Sequence, residues 1–151
     1  MNLLNDFFKI LSVEKTDSKY TVAIELNPSH EIFRGHFPGN PVVPGVCMVQ
    51  MVKEILQDIF KKEFTMTQAS QLKFLAILNP VQVSSLNVEL TLIKEEANTL
   101  AIAGSFQKEA TVFLKFKATF ASSPLEIVWL LCIGLCRTQH HTARLKNSIA
   151  A

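Results

Sequence analysis

The sequence predicts an α+β domain in which an antiparallel sheet packs on one long helix. Three observations carry that reading. Two segments with period-two alternation open the chain. Residues 46–64 then contain neither Gly nor Pro and carry apolar residues at helical spacing. Four more period-two segments follow.

Residues 7–14 and 19–26 read as paired strands joined by the polar turn TDSK. In the second, Tyr20, Val22, Ile24 and Leu26 share one face. Residues 27–45, NPSHEIFRGHFPGNPVVPG, read as an irregular segment. Pro38, Pro41 and Pro44 oppose a helix there, and Gly35, Gly39 and Gly45 permit sharp turns. From Val46 the spacing changes. Val46, Val49, Lys53, Leu56 and Phe60 step by three and four, and Met48, Val52, Ile55 and Ile59 broaden the apolar face. This is a mostly buried helix, with Lys61 and Lys62 suited to its last turn. Strands are expected at 68–77, 83–95, 99–109 and 110–121. In the last, Val112, Leu114, Phe116, Ala118 and Phe120 fall on one side. The connections EEAN and QKEA are short and polar, as hairpins require.

The chain has 151 residues, 48% of them hydrophobic, enough for one domain with a real core. Its formal charge is +2, from 15 basic and 13 acidic residues, and no basic block or stripe is present. Nucleic-acid binding is disfavoured on that ground. The N-terminus lacks the basic region and long apolar stretch of a secretion signal, and the apolar run 127–136 is about half of a membrane span. Three cysteines (Cys47, Cys132 and Cys136) form no even framework, so a reducing, cytoplasmic setting is expected. The domain is expected to span 1–123. Residues 124–151 read as a C-terminal appendage, a short apolar helix that packs on the body or on a partner.

The chemistry concentrates in residues 36–50, HFPGNPVVPGVCMVQ. General acid–base chemistry needs a side chain that takes or gives a proton near neutral pH. Histidine suits that task because its ordinary pKa lies near neutrality. His36, held by the turn Phe37-Pro38-Gly39, is the candidate base. Gly45 and Val46 begin the helix, where backbone N–H groups lack intrahelical acceptors and the helix dipole is positive. A carbonyl oxygen gaining negative charge would be stabilised there, as in an oxyanion hole.

HFPGNPVVPGVCM resembles the signature of the hotdog-fold 3-hydroxyacyl-acyl carrier protein dehydratases, the FabZ and FabA group. LKFLAILNPVQ, residues 72–82, is similar to the strand and Pro-turn that follow the helix in that family, and the resemblance covers roughly residues 7–122. It implies a hotdog fold, with the sheet wrapped around the central helix. It also implies a dimer whose sites lie between subunits, and a substrate carried on acyl carrier protein. His36 would be the base, Gly45 the carbonyl-binding amide, and Gln50 the hydroxyl-side contact. Phe37, Pro38, Gly39 and Val46 would line the acyl site. No cofactor and no metal are expected.

The sequence departs from the family at one position. The family's acidic partner lies fourteen residues beyond the histidine, where this chain has Gln50. An amide neither gives nor takes a proton at neutral pH, although it hydrogen-bonds a hydroxyl or a water. Two alternatives therefore stand beside the dehydratase. One is a catalytically silent subunit that binds acyl carrier protein or pairs, as a homodimer or heterodimer, with an active dehydratase. The weaker one is an acyl thioesterase. Glu54, one helical turn past Gln50, is a conceivable substitute acid, but its ordinary reading is a solvated helix carboxylate beside Lys53 or Lys61. His30 reads as a surface residue and Cys47 as a small buried one. Cys132, Cys136 and His140 are spaced by four, with His141 adjacent, but a single helix supplies zinc ligands poorly.

Overall fold

The computed structural model describes residues 2–122. The order is β1 (Phe8–Thr16), β2 (Lys19–Leu26), a 3₁₀ turn (Glu31–Arg34), α1 (Gly45–Phe60), β3 (Phe64–Phe74), β4 (Ser85–Glu96), β5 (Thr99–Lys108) and β6 (Thr111–Ser122). The strands form one sheet in the order β1-β2-β4-β5-β6-β3, with every neighbouring pair antiparallel. The expected α+β architecture is observed.

The inward faces follow the alternation. Tyr20, Val22, Ile24 and Leu26 are buried on β2, and Leu114, Phe116, Ala118 and Phe120 on β6. On α1 the buried stripe is Cys47, Met48, Met51, Val52, Ile55 and Leu56. It is turned from the face drawn through Val46 and Lys53. Val46 is 72% exposed, on the side of the first turn opposite buried Cys47 and Met48. The helix ends at Phe60, before the expected lysine turn. Lys61 adopts a left-handed backbone (φ 53°), which stops the helix and lets buried Phe64 start β3. Phe60 stands between Tyr20 and Phe64, with ring centroids 5.8 and 6.0 Å away. Strand β3 begins four residues before the expected start. Register shifts at Met66/Gln68 and Ala69/Gln71 break its alternation, so strict period-two reading misses its first half. The loop holds the 3₁₀ turn ahead of Pro38, where the prolines do not prevent it.

One contact across the sheet is tight. Gly104 on β5 lies opposite Phe116 on β6 and Leu90 on β4. A Cβ there would meet the Glu89 carbonyl oxygen and lie 2.6 Å from the Phe116 ring. The absent side chain is what lets the ring lie across the strand. Gly104→Ala is expected to destabilise by about 1–3 kcal/mol, read as a lower urea midpoint with unchanged slope. An unchanged midpoint would show that strand and ring move aside without cost.

Strand β3 is an edge strand. Leu72 and Phe74 on it, and Leu75 and Ile77 just beyond, are exposed, as are Phe37 and Val46. Among the described residues no helix is long and apolar enough to cross a membrane. The appendage 124–151, with its Cys132, Cys136, His140 and His141 pattern, lies outside the described residues.

Candidate active site

The loop that carries His36 is held at several points. Asn27 receives Ser29 N–H on its side-chain oxygen at 3.1 Å and donates to the Asp6 carbonyl at 2.9 Å. His30 Nδ1 accepts Ile32 N–H at 3.1 Å and so caps the 3₁₀ turn, while its Nε2 faces Asp6 Oδ2 at 3.2 Å. His30 is therefore a structural cap with a largely covered ring, not the surface residue expected. Buried Phe33 packs against Phe7 at 5.4 Å and anchors the turn. His36 N–H then donates to the Ile32 carbonyl at 3.1 Å.

Residues 37–40 form a turn closed by Asn40 N–H to the Phe37 carbonyl at 3.1 Å. Pro38 takes its second position and Gly39, with φ of +82°, its third. Only glycine adopts that backbone readily, as a type II turn demands. Two bonds then join the ends of the loop. Val42 N–H donates to the His36 carbonyl at 3.0 Å, and His36 Nδ1 lies 3.0 Å from the Val42 carbonyl. A carbonyl oxygen only accepts, so Nδ1 carries the proton and Nε2 of the neutral ring is the basic nitrogen. The Phe37 ring lies 4.5 Å from the imidazole, centroid to centroid.

Beyond the loop, Val43 N–H bonds the Leu78 carbonyl at 2.9 Å and Asn79 donates to Asn40 Oδ1 at 3.2 Å. Residues 72–82 thus hold the loop from the far side. Pro44 is the N-cap of α1, and no side chain caps it. Its carbonyl accepts from Cys47 and Met48. The N–H groups of Gly45 and Val46 are those of the first helical positions. Phe74 covers this end: a Cβ on Gly45 would lie 2.8 Å from the ring tip. Periodicity gave no warning of Phe74. Cys47 is buried on the inner side of the same turn, and desolvation pushes its thiol pKa up, away from nucleophilic character.

On the next turn, Gln50 Nε2 donates to Glu54 Oε1 at 2.8 Å. Glu54 is not the solvated carboxylate expected. It is 6% exposed and receives the N–H of Leu3 at 2.9 Å on both oxygens and that of Leu4 at 2.6 Å. Its spacing from Cys47 and Met51 puts it on their buried stripe, which was the available sequence signal. Val49 and Val52 of α1, Met66 and Leu72 of β3, and Leu114 and Phe120 of β6 line an apolar crevice of about 10 Å³. That is below the size of an ordinary ligand pocket. Among the described residues no group of three or more His, Cys, Asp or Glu side chains is placed to hold a metal ion.

A six-stranded antiparallel sheet around one central helix, with a His-bearing turn leading into that helix, is the hotdog fold. The chain belongs to the ApeI-like family, whose model, described as ApeI dehydratase, matches residues 12–116. It is 30% identical over 110 residues to the 3-hydroxyacyl-[acyl-carrier-protein] dehydratase FabZ of Levilactobacillus brevis, covering 65% of this chain and 73% of that protein. Among solved structures it is similar to the dehydratase heterocomplex ApeI:P from Xenorhabdus doucetiae, with a TM-score of 0.58 and 20% identity over 74% of this chain and 96% of the other. A thioesterase from Pseudomonas aeruginosa shares the fold, with a TM-score of 0.55 and 13% identity over 78% and 82%.

Proposed function

We propose that this chain is a dehydratase subunit that acts on 3-hydroxyacyl thioesters carried by acyl carrier protein, forming the trans-2-enoyl thioester. The observation that carries the reading is the His36–Val42 contact. It fixes the tautomer with Nε2 as the basic nitrogen, on a rigid turn that runs directly into the helix start. In this mechanism Nε2 takes the α proton. The Gly45 and Val46 N–H groups stabilise the charge that builds on the thioester oxygen. Phe37, Pro38 and Gly39 shape the entrance.

Gln50 favours a refinement. It has no proton for the departing hydroxide, and loss of a general acid costs about 10²–10⁴ in rate. We therefore assign the acid to a partner hotdog subunit of different sequence, which meets this chain along the β3 edge. The exposed apolar residues at that edge support such pairing. So does the crevice, which is too small for an acyl chain within one subunit. The similar ApeI:P protein is itself described as a heterocomplex. A silent partner-binding role is the second reading, favoured by the same glutamine. A thioesterase is weaker, since its hydrolysis also wants a carboxylate at this helix position.

The test is turnover of a short 3-hydroxyacyl thioester by the chain alone and after mixing with a hotdog subunit that has Glu or Asp at the position of Gln50. Turnover at least tenfold higher in the mixture, lost when His36→Ala is used, is the expected outcome. Equal turnover by the chain alone would overturn the heteromeric assignment. Retained activity with His36→Ala would leave only the silent role.

A further inference from the structure

We infer that His30 is a positioning residue for the His36 base, and that it acts through a chain of hydrogen bonds beginning at Asp6. The inference rests on the dehydratase reading for its catalytic consequence, but not for its geometry.

His30 and His36 flank the 3₁₀ turn, and their hydrogen bonds require opposite tautomers. Ile32 N–H donates to His30 Nδ1, so that nitrogen keeps its lone pair and Nε2 carries the proton. Nε2 then donates to Asp6 Oδ2 at 3.2 Å. At His36 the proton sits on Nδ1 and faces the Val42 carbonyl. His30 is thus a neutral donor to Asp6, because an imidazolium has no lone pair to offer Ile32.

The chain continues through Ile32. Its N–H is held by His30, and its carbonyl receives His36 N–H at 3.1 Å. A single residue therefore joins the cap to the backbone of the base. His30 is itself fixed on several sides. Its N–H donates to the Asn27 carbonyl at 3.2 Å, its carbonyl accepts from Phe33 N–H at 3.2 Å, and the Phe7 ring stands edge-on to the imidazole at 5.2 Å. The side chain is 12% exposed. Asp6 is placed in turn by Asn27, whose Nδ2 donates to the Asp6 carbonyl at 2.9 Å.

A serine or an asparagine would cap this turn as well. The imidazole adds a second nitrogen, which ties the cap to the N-terminal segment. The effect falls on His36. Its ring is aimed by Val42, but that aim holds only while the His36 backbone is fixed, and the Ile32 carbonyl is the acceptor that fixes its N–H. Loss of the cap would let the loop, and Nε2 with it, move off the line of the α proton. A misplaced base costs rate rather than substrate affinity.

The experiment uses the full chain. The imidazole ¹⁵N and ¹H signals are recorded at the pH of the turnover assay in wild type, His30→Ala, His30→Asn and Asp6→Ala. Values of kcat and KM for a short 3-hydroxyacyl thioester are measured in parallel with the acid-bearing partner subunit present, and a thermal melt is the control for folding. In wild type, His30 is expected to be neutral with its proton on Nε2, and His36 to carry its proton on Nδ1. In His30→Ala the His36 Nδ1 proton should exchange faster with solvent. Its kcat should fall roughly tenfold, the equivalent of one lost capping bond, with KM unchanged. His30→Asn, whose oxygen still caps Ile32, should return to within about threefold of wild type, and Asp6→Ala should lie between wild type and His30→Ala. A wild-type His30 that is charged or protonated on Nδ1 would overturn the inference. So would a His30→Ala protein that melts lower with the His36 signal and kcat unmoved, or a His30→Asn protein as slow as His30→Ala. If His30→Ala does not fold, Asp6→Ala decides, and an unmoved His36 signal there counts against the chain of bonds. No turnover by wild type would sink the dehydratase reading, while the imidazole signals would still decide whether His30 positions His36.

Discussion

His36→Ala is expected to lower dehydration turnover by about 10²–10⁴-fold, the range for loss of a positioned general base. The fold should survive. The ring is only partly covered, and the bond to the Val42 carbonyl is worth about 1 kcal/mol. His36→Asn sharpens the test. Its amide NH₂ lies where Nδ1 does and keeps a donor for Val42, but it offers no base where Nε2 was. It should therefore melt closer to wild type than His36→Ala and be as inactive. A His36→Asn protein with appreciable turnover would mean that the imidazole orients the loop and another group takes the proton.

Gln50→Glu should have the second large effect, and Glu54 dictates its pH dependence. The new carboxylate would stand where an amide now donates to Glu54 at 2.8 Å. Two carboxylates at that distance do not both ionise readily, so they share a proton and one apparent pKa of the pair rises. The raised pKa keeps a proton available for hydroxide departure. Turnover by the chain alone should rise on the order of 10²-fold, most strongly below the raised pKa, and the gain should fade as pH rises through it. Stability follows with a defined sign. The folded variant binds more protons than the unfolded chain between the ordinary carboxylate pKa and the raised one, so its stability falls as pH rises across that window. Adding Glu54→Gln removes the like charge and supplies an amide donor. The gain should then be confined to lower pH. A pH profile identical in the single and double variants would show that the two positions do not interact.

Most of the fold was legible because its elements repeat. Tyr20, Val22, Ile24 and Leu26 alternate without interruption, and so do Leu114, Phe116, Ala118 and Phe120; all eight are buried. Where a bulge breaks the repeat, as at Met66 in β3, the strand start was placed late. Helix phase was less legible than helix existence. The apolar residues of 46–60 occupy more than one face, and only the position of the sheet decides that Val46 is outside and Cys47 inside. The site shows the same division. His36, Gly39 and Gly45 stood out because few residue types satisfy the turn and the helix start. The Val42 carbonyl, the Phe74 ring and the Leu3 and Leu4 amides did not. Three of these are backbone groups, which leave no mark on residue type, and Phe74, Leu3 and Leu4 are brought to the site by the packing of distant segments. Glu54 shows the cost of reading a carboxylate locally: its neighbours Lys53 and Lys61 suggested solvent, whereas its partners lie some fifty residues away in sequence.

The most direct measurement of the central claim, that His36 removes the α proton, is deuterium incorporation at C2 of a 3-hydroxyacyl thioester in D₂O. It reports on the base even where the departure of hydroxide is slow for want of an acid. Wild type is predicted to exchange the C2 proton and His36→Ala to do so no faster than buffer. Equal exchange by the two proteins, or none by either in the presence of an acid-bearing partner, would contradict the account.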